Sequence, residues 1–261
     1  MAPDMRLTCI GHSGFALEAH GVTLVFDYYT DQCGVMPAIM GRARHMVVMV
    51  SHSHPDHLNP DIFKWVATGK VERYVVSAES RRKLRRIKGL DLDALPITFM
   101  HHDQDTLCPL SGVQIHSFGS TDIGVSYLAT LPGGELVMHA GDLNDWHWSD
   151  ESTPQEVKKA DGDFRAILRT IAARAPHMQL AMFPIDPNMG TDFARGAREF
   201  LQAVQVDHFV PMHMWGRDSE ATQFGLYRNP AHGECHYVPA GTSLTLPEHK
   251  ENDGGLQLPE E

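Results

Sequence analysis

The sequence predicts an α+β fold in one domain, and three observations carry that prediction. Two stretches, residues 5–50 and 96–139, are built of short apolar, β-favouring runs punctuated by glycine and turn residues. Helical periodicity gathers later, over residues 153–175 and 193–204. No repeat, low-complexity tract or linker interrupts residues 5–247, so 1–247 read as a single domain and the polar, glycine-containing residues 248–261 as a loose tail.

At 261 residues the chain is long enough for one sizeable core, against a usual ~150 residues per domain. Its 42% hydrophobic and 21% charged residues sit near the globular averages of ~45–50% and ~25%, which excludes a disordered or collagen-like chain. The apolar runs, MVVMV at 46–50 and LAMFPI at 180–185, fall well short of the ~20 residues of a membrane helix. The first twenty residues carry neither a basic n-region nor a long apolar run, so the expectation is a soluble, cytoplasmic protein with no membrane partner. A net charge of −11 repels phosphate backbones, which argues against nucleic acid and for a small-molecule substrate; self-association is left open. Cys9, Cys33, Cys108 and Cys235 have no paired spacing and read as thiols in a reducing compartment. The 17 histidines nearly match the 22 lysines and arginines, an excess that points to metal chemistry.

In chain order, MRLTCI, FALEA and VTLVFD separated by glycines 11, 14 and 21 read as a meander ending at Asp27. The run ARHMVVMV at 43–50 reads as a strand buried on both faces. Asn59 and Pro60 suit the N-cap and first position of a short helix with Ile62, Phe63 and Val66 inward. ERYVVS (72–77) is a further strand. In residues 81–88, six of eight positions are basic; a helix with Leu84 and Ile87 inward and a solvated basic face explains the run without a phosphate ligand. ITFMH, VQIHSF, GVSYLATL and ELVMHA form the second β-rich stretch. Thr153, Pro154 and Glu156 begin a long helix with a capping box, its buried stripe formed by Phe164, Ile167, Leu168 and Ile171. QLAMFPI, a helix through Phe193, Ala197, Phe200, Leu201 and Val204, and HFVPM complete a β-α-β unit.

Chemistry begins where the 43–50 strand stops. In His52-Ser53-His54-Pro55-Asp56-His57, two histidines two apart on extended chain share a side, and Asp56 and His57 follow round a proline-stiffened turn. Random order would produce this four-position pattern in roughly 0.5% of sequences of this composition. A helix cap would use one aspartate and leave three histidines idle. Two shells with room for water need more donors, and Asp142 in HAGDLN and His213 in FVPMHMWG each stand just after an apolar strand.

These residues resemble the metallo-β-lactamase superfamily, whose hallmark is H-x-H-x-D-H, a distant G-D and a late histidine. The opening IGHSGFALEAHGVTLVFD, the HAGD and the VPMH look like the branch that contains ascorbate-6-phosphate lactonase. The resemblance implies a four-layer αββα sandwich of two half-repeats with metal at one edge. It implies His52 and His54 on one ion, Asp56, His57 and His213 on the other, Asp142 bridging both, and Asp27 supporting the ligand loop. Where the family usually presents a third histidine for the first ion, this chain has Ser120 within Phe118-Gly119-Ser120-Thr121-Asp122. Serine is a poor ligand for a zinc-like ion, so either Asp122 or His116 replaces it or the first site is weakened. His12 matches an early G-H-S and either lines the pocket or is bonded in a turn. Asp186 either faces the same edge or caps a turn before proline. Asn144, Trp146, His147 and Trp148 are candidates for a pocket wall.

One or two divalent ions are thus expected, with zinc foremost and manganese or iron as alternatives for nitrogen and oxygen donors. Asp56 is the expected catalytic residue, as a ligand that also takes a proton from the attacking water. The first reading is hydrolysis of a small ester, lactone or phosphoester. The others are a nuclease-type phosphodiesterase, which needs the 81–88 run beside the metal edge, a di-iron redox module, whose relatives carry glutamate where this chain has His54, and a non-catalytic metal-binding scaffold.

Overall fold

The computed structural model describes residues 5–223 and 233–247; the expected tail, 248–261, lies outside the described residues. The strands are β1 (Met5–Gly11), β2 (Gly14–Ala19), β3 (Val22–Phe26), β4 (His45–Val50), β5 (Val71–Ser77), β6 (Ile97–Met100), β7 (Gln104–Leu107), β8 (Gln114–Phe118), β9 (Ser126–Thr130), β10 (Leu136–His139), β11 (His177–Pro184), β12 (Gln205–Met212), β13 (Glu234–Cys235) and β14 (Ser243–Leu246). The helices are α1 (Met36–Arg42), α2 (Arg81–Leu84), α3 (Pro154–Arg174), α4 (Arg195–Ala203) and α5 (Asp218–Gln223).

Two sheets form, ordered β14-β1-β2-β3-β4-β5-β6 and β13-β12-β11-β10-β9-β8-β7. Each repeats one plan: antiparallel strands at the start, then strands added in parallel, β3 to β6 in the first and β10 to β13 in the second. One apolar cluster fills the space between the sheets and continues to Phe164, Leu168 and Ile171 of α3 and Phe200 of α4. A second lies on the other side of the first sheet, beneath Ile39 of α1 and Ile62 and Phe63. The layers are therefore helix, sheet, sheet, helix. β4 shows why its run has no polar alternation: Val47 and Met49 face the other sheet while Met46, Val48 and Val50 face the helical layer.

The caps follow the sequence. Thr153 and Glu156 close the capping box of α3. Asn59 accepts from the Asp61 amide, although the turn it starts, Pro60–Thr68, is 3₁₀ rather than α. The basic run forms only the single helical turn α2, because Leu84 and Ile87 are the only apolar positions there to bury and Gly89 at φ +83° ends the coil. β7, β13 and β14 lie at or next to sheet edges, where little apolar alternation marks them. No described helix is long and apolar enough to cross a membrane.

β3 and β4 run in parallel side by side, as do β10, β11 and β12. Their carboxyl ends open into the segments carrying Asp27, residues 51–57, Asp142, Asp186 and His213, so the topology gathers these groups at one edge.

Candidate metal centre

Asp27 organises the ligand loop from below. It is buried at φ +42°; its Oδ1 accepts from the Ser51 amide (2.7 Å), and its Oδ2 accepts from the Ser51 hydroxyl (2.5 Å) and from Nδ1 of His57 (2.7 Å). Because the Ser51 hydroxyl donates to Asp27, Nδ1 of His52, 3.0 Å from Ser51 Oγ, must be the donor of that pair. His213 likewise turns Nδ1 to Oδ2 of Asp186 at 3.1 Å. In each of the three rings a backing acceptor takes the Nδ1 proton and leaves Nε2 facing the centre, the arrangement that orients a metal-ligating imidazole.

The Nε2 atoms converge on one carboxylate. Asp142 Oδ2 stands 3.3 Å from His52 Nε2, while Asp142 Oδ1 stands 3.0 Å from His57 Nε2 and 3.5 Å from His213 Nε2. Asp56 Oδ2 adds contacts of 3.2 Å to His12, 3.4 Å to His57 and 3.6 Å to His213. His52 Nε2, His57 Nε2 and Asp142 Oδ1 are all buried, yet none makes a hydrogen bond. Orphaned buried polar atoms cost about 1–3 kcal/mol each, and three of them gathered around the Asp142 carboxylate fit bound cations. Two donor groups result, His52, His54, Asp122 and Asp142 on one side and His12, Asp56, His57 and His213 on the other.

Asp122, and not His116, joins the first group. His54 Nδ1 lies 3.5 Å from Asp122 Oδ2. Ser120, where a family histidine was expected, caps this turn by accepting from the Asp122 amide (3.3 Å), and Thr121 is bonded to the Asn144 backbone. His116 lies elsewhere: on β8 its Nδ1 meets Asp105 of β7 at 3.1 Å and its ring packs on Phe118, because the strand register turns it towards the sheet edge.

The two loops fit closely. A Cβ on Gly124, at φ +82°, would stand 2.1 Å from the Ser51 carbonyl oxygen and 2.5 Å from His52 Cβ, and one on Gly141, at φ +54°, would stand 2.7 Å from Ser51 Cβ. Gly124→Ala is accordingly expected to destabilise the fold by about 3 kcal/mol or more and to displace the ligand loop. Chemical denaturation with metal analysis of the variant checks it, and an unchanged midpoint with full metal content would contradict this packing.

Burial opposes charge throughout this cluster, but opposite charges decide most of the balances. Burial lowers the His57 pKa, yet the carboxylates of Asp142, Asp27 and Asp56 outweigh it and push it well above its ordinary value. His213 rises to about 9, burial being overcome by Asp186 and Asp56. Asp142 is driven well below the usual carboxylate range, and Asp56 is lowered too, as the surrounding histidines overcome burial. His12 moves the other way: burial outweighs Asp56 and keeps it neutral. Without metal, protons on His57 and His213 thus balance the carboxylates, and a bound cation would displace them.

A cavity of about 450 Å³ opens over Asp142 and His213, walled by Trp146, Trp148, Trp215, Asn188 and Asp122. Trp215, which the sequence reading missed, packs 4.3 Å from the His12 ring at φ +50°. Asn144 and His147 do not line it; Asn144 bonds Met189 Sδ and the Asp145 amide, and His147 faces the Asp192 carbonyl. Two other missed groups brace the loop. His139, stacked on Phe26, is held neutral by burial and lies 3.7 Å from Asp27, and Glu79 accepts from the amide and hydroxyl of Ser53. A carboxylate one turn past a strand gave no sequence signal.

Comparison with known proteins bears on the fold and the family. A UPF0173 metal-dependent hydrolase of Heliobacterium modesticaldum is 23% identical over 258 residues, covering 94% of this chain and 99% of the relative. One from Methanosarcina mazei is 24% identical, covering 80% and 83%. Among solved structures, Igni18, a metallo hydrolase of Ignicoccus hospitalis, superposes with a TM-score of 0.67 at 17% identity over 94% of this chain and 99% of its own. CmlA, a diiron β-hydroxylase of Streptomyces venezuelae, superposes at 0.64 with 13% identity over 95% of this chain and 55% of its own. These likenesses show the fold, and the family is shown by the β-lactamase superfamily domain, which matches residues 6–152: the chain belongs to that superfamily.

Proposed function

We propose that this metal-dependent hydrolase cleaves a small, uncharged ester or lactone at a pair of divalent ions. The observation that carries the reading is the trio of buried, unbonded atoms, His52 Nε2, His57 Nε2 and Asp142 Oδ1, gathered where the two histidines meet the Asp142 carboxylate at 3.3 and 3.0 Å. His52, His54 and Asp122 would hold one ion, Asp56, His57 and His213 the other, and the two oxygens of Asp142 face both groups. Nitrogen and oxygen donors without thiolate suit zinc, manganese or iron. When bound, such ions supply Lewis acidity and lower the pKa of water towards neutrality.

The chain's own residues do the rest. Asp56 directs Oδ2 at His12, His57 and His213, so its Oδ1 is the oxygen left to take a proton. The neutral ring of His12 donates its Nε2 proton to Asp56 Oδ2 at 3.2 Å and so holds that carboxylate in place. Trp146, Trp148 and Trp215 offer flat apolar surface for the acyl or ring portion of a substrate and exclude water around it.

A phosphodiesterase reading draws on Lys83, whose ammonium reaches the ligand loop. That ammonium donates to the Ser53 carbonyl, however, and among the described residues no lysine or arginine lines the cavity over Asp142 and His213. An uncharged substrate therefore fits better. The unpaired cysteines suit the reducing cytoplasm as the place of work.

The test is metal analysis of protein purified without added metal, followed by turnover of lactones, aryl esters, thioesters and phosphodiesters. Lactone or ester hydrolysis, abolished by chelation, is expected; phosphodiester turnover alone would overturn the substrate assignment. Asp122→Ala is expected to weaken one of two ions by about 10–100-fold and to leave the other bound. A calorimetric titration superimposable on the parent's would remove Asp122 from the ligand set.

A further inference from the structure

We propose that His208, Glu234 and His236 form a further cation site, separate from the catalytic centre, which takes a zinc-like transition-metal ion and clips the edge strand β13 to β12. Strand pairing creates the group. β12 and β13 run in parallel with His208 opposite Glu234, and the His236 amide continues the ladder to the Phe209 carbonyl (2.9 Å). Glu234 and His236 are two residues apart on extended chain, so their side chains share the face that His208 occupies on the neighbouring strand.

The donor spacing is that of a coordination shell. His208 Nδ1 lies 3.1 Å from His236 Nε2 and 3.7 Å from Glu234 Oε2, and His236 Nε2 lies 3.4 Å from the same oxygen. Ligands about 2.0–2.1 Å from a tetrahedral ion are roughly 3.4 Å apart, so three donors at these separations lie at three corners of one tetrahedron and leave the fourth for water. Two imidazoles with one carboxylate match the preferences of zinc and its neighbours rather than calcium or magnesium. Burial lowers the pKa of both rings, which keeps their lone pairs free for a metal near neutrality.

The group stands apart from the catalytic pair. His208 precedes His213 by five residues along the β12 direction, roughly 16 Å at about 3.3 Å per residue, and it shares no donor with the groups around Asp142. β13 is a two-residue strand, and the chain leaving it carries Tyr237, Val238 and Ala240 into the wall of a cavity that also contains His12 and Trp215. An ion joining His208 to Glu234 and His236 would fasten that wall to the sheet.

Zinc titrated by calorimetry into the full chain, the His208→Ala/His236→Ala double variant and Glu234→Gln tests the proposal, with melting temperature as a second readout. The parent is expected to bind one more zinc per chain than the double variant and to gain more in melting temperature on zinc addition. Glu234→Gln, an exposed substitution that leaves the fold intact, is expected to weaken only that additional site, by about tenfold or more. Equal stoichiometry in parent and double variant, or a Glu234→Gln titration indistinguishable from the parent's, would show that the two rings merely share a proton. If the double variant fails to fold, Glu234→Gln decides alone.

Discussion

Asp142→Ala is expected to lower kcat/KM on any substrate of this protein by about 10³-fold or more and to reduce the bound metal from both donor groups together. Among the described residues no other side chain faces both: its Oδ2 meets His52 and its Oδ1 meets His57 and His213. The loss is chemical rather than structural. Asp142 follows β10 in a turn at the strand ends, and the packing of β10 rests on Val137 and Met138, which the substitution does not touch. Circular dichroism should therefore match the parent's while metal analysis and activity collapse. Retention of either ion at parental affinity would mean that the two groups are independent, and retained activity would remove the metal-assisted mechanism.

The second large effect is a pH dependence that only the metal-free protein shows. His213 has a folded pKa of about 9 against an ordinary 6.5, and His57 is displaced in the same direction. A group whose pKa is raised by folding contributes its stability in full below the unfolded value and loses it as pH climbs through the folded value. Chelated protein should accordingly lose stability between pH 6.5 and 9, by on the order of 3 kcal/mol for His213 and roughly 5–10 °C in Tm for a chain of this size. Metal-loaded protein should not follow, because the cation has displaced those protons and is held more tightly as pH rises. Melting curves at both pH values, with chelator and with zinc, separate the cases. A metal-free Tm that is flat or rises across the window would show that the carboxylates around these rings do not hold their protons.

The residues legible in the sequence were those whose type and spacing carry chemistry or periodicity. The run from His52 to His57 was readable because two-residue spacing on extended chain places His52 and His54 on one side. Thr153 and Glu156 were readable because a capping box is local. β7 was not, since an exposed edge strand of sequence QDTL has no buried face to impose alternation. The 81–88 run is half readable: its spacing predicts the burial of Leu84, but a helix needs more apolar contact than one turn supplies. The groups that brace the 51–57 loop divide the same way. Asp27 carried a signal through its place at a strand end, whereas His139 and Glu79 reach the loop from strands and turns distant in sequence.

By itself the sequence determined the α+β class, both β-rich halves, the strand buried on two faces and the ligand types of a metal centre, because all of these rest on composition, period and short-range spacing. Only the tertiary structure brings Asp122, and not His116, beside His54 and Asp142. Both lie within a few residues of Ser120, and the choice depends on strand register, which turns His116 to Asp105 at the sheet edge, and on the close passage of Gly124 over Ser51, which brings Asp122 to His54. Contacts across more than sixty residues of chain come from how two sheets pack, and no local pattern encodes that distance.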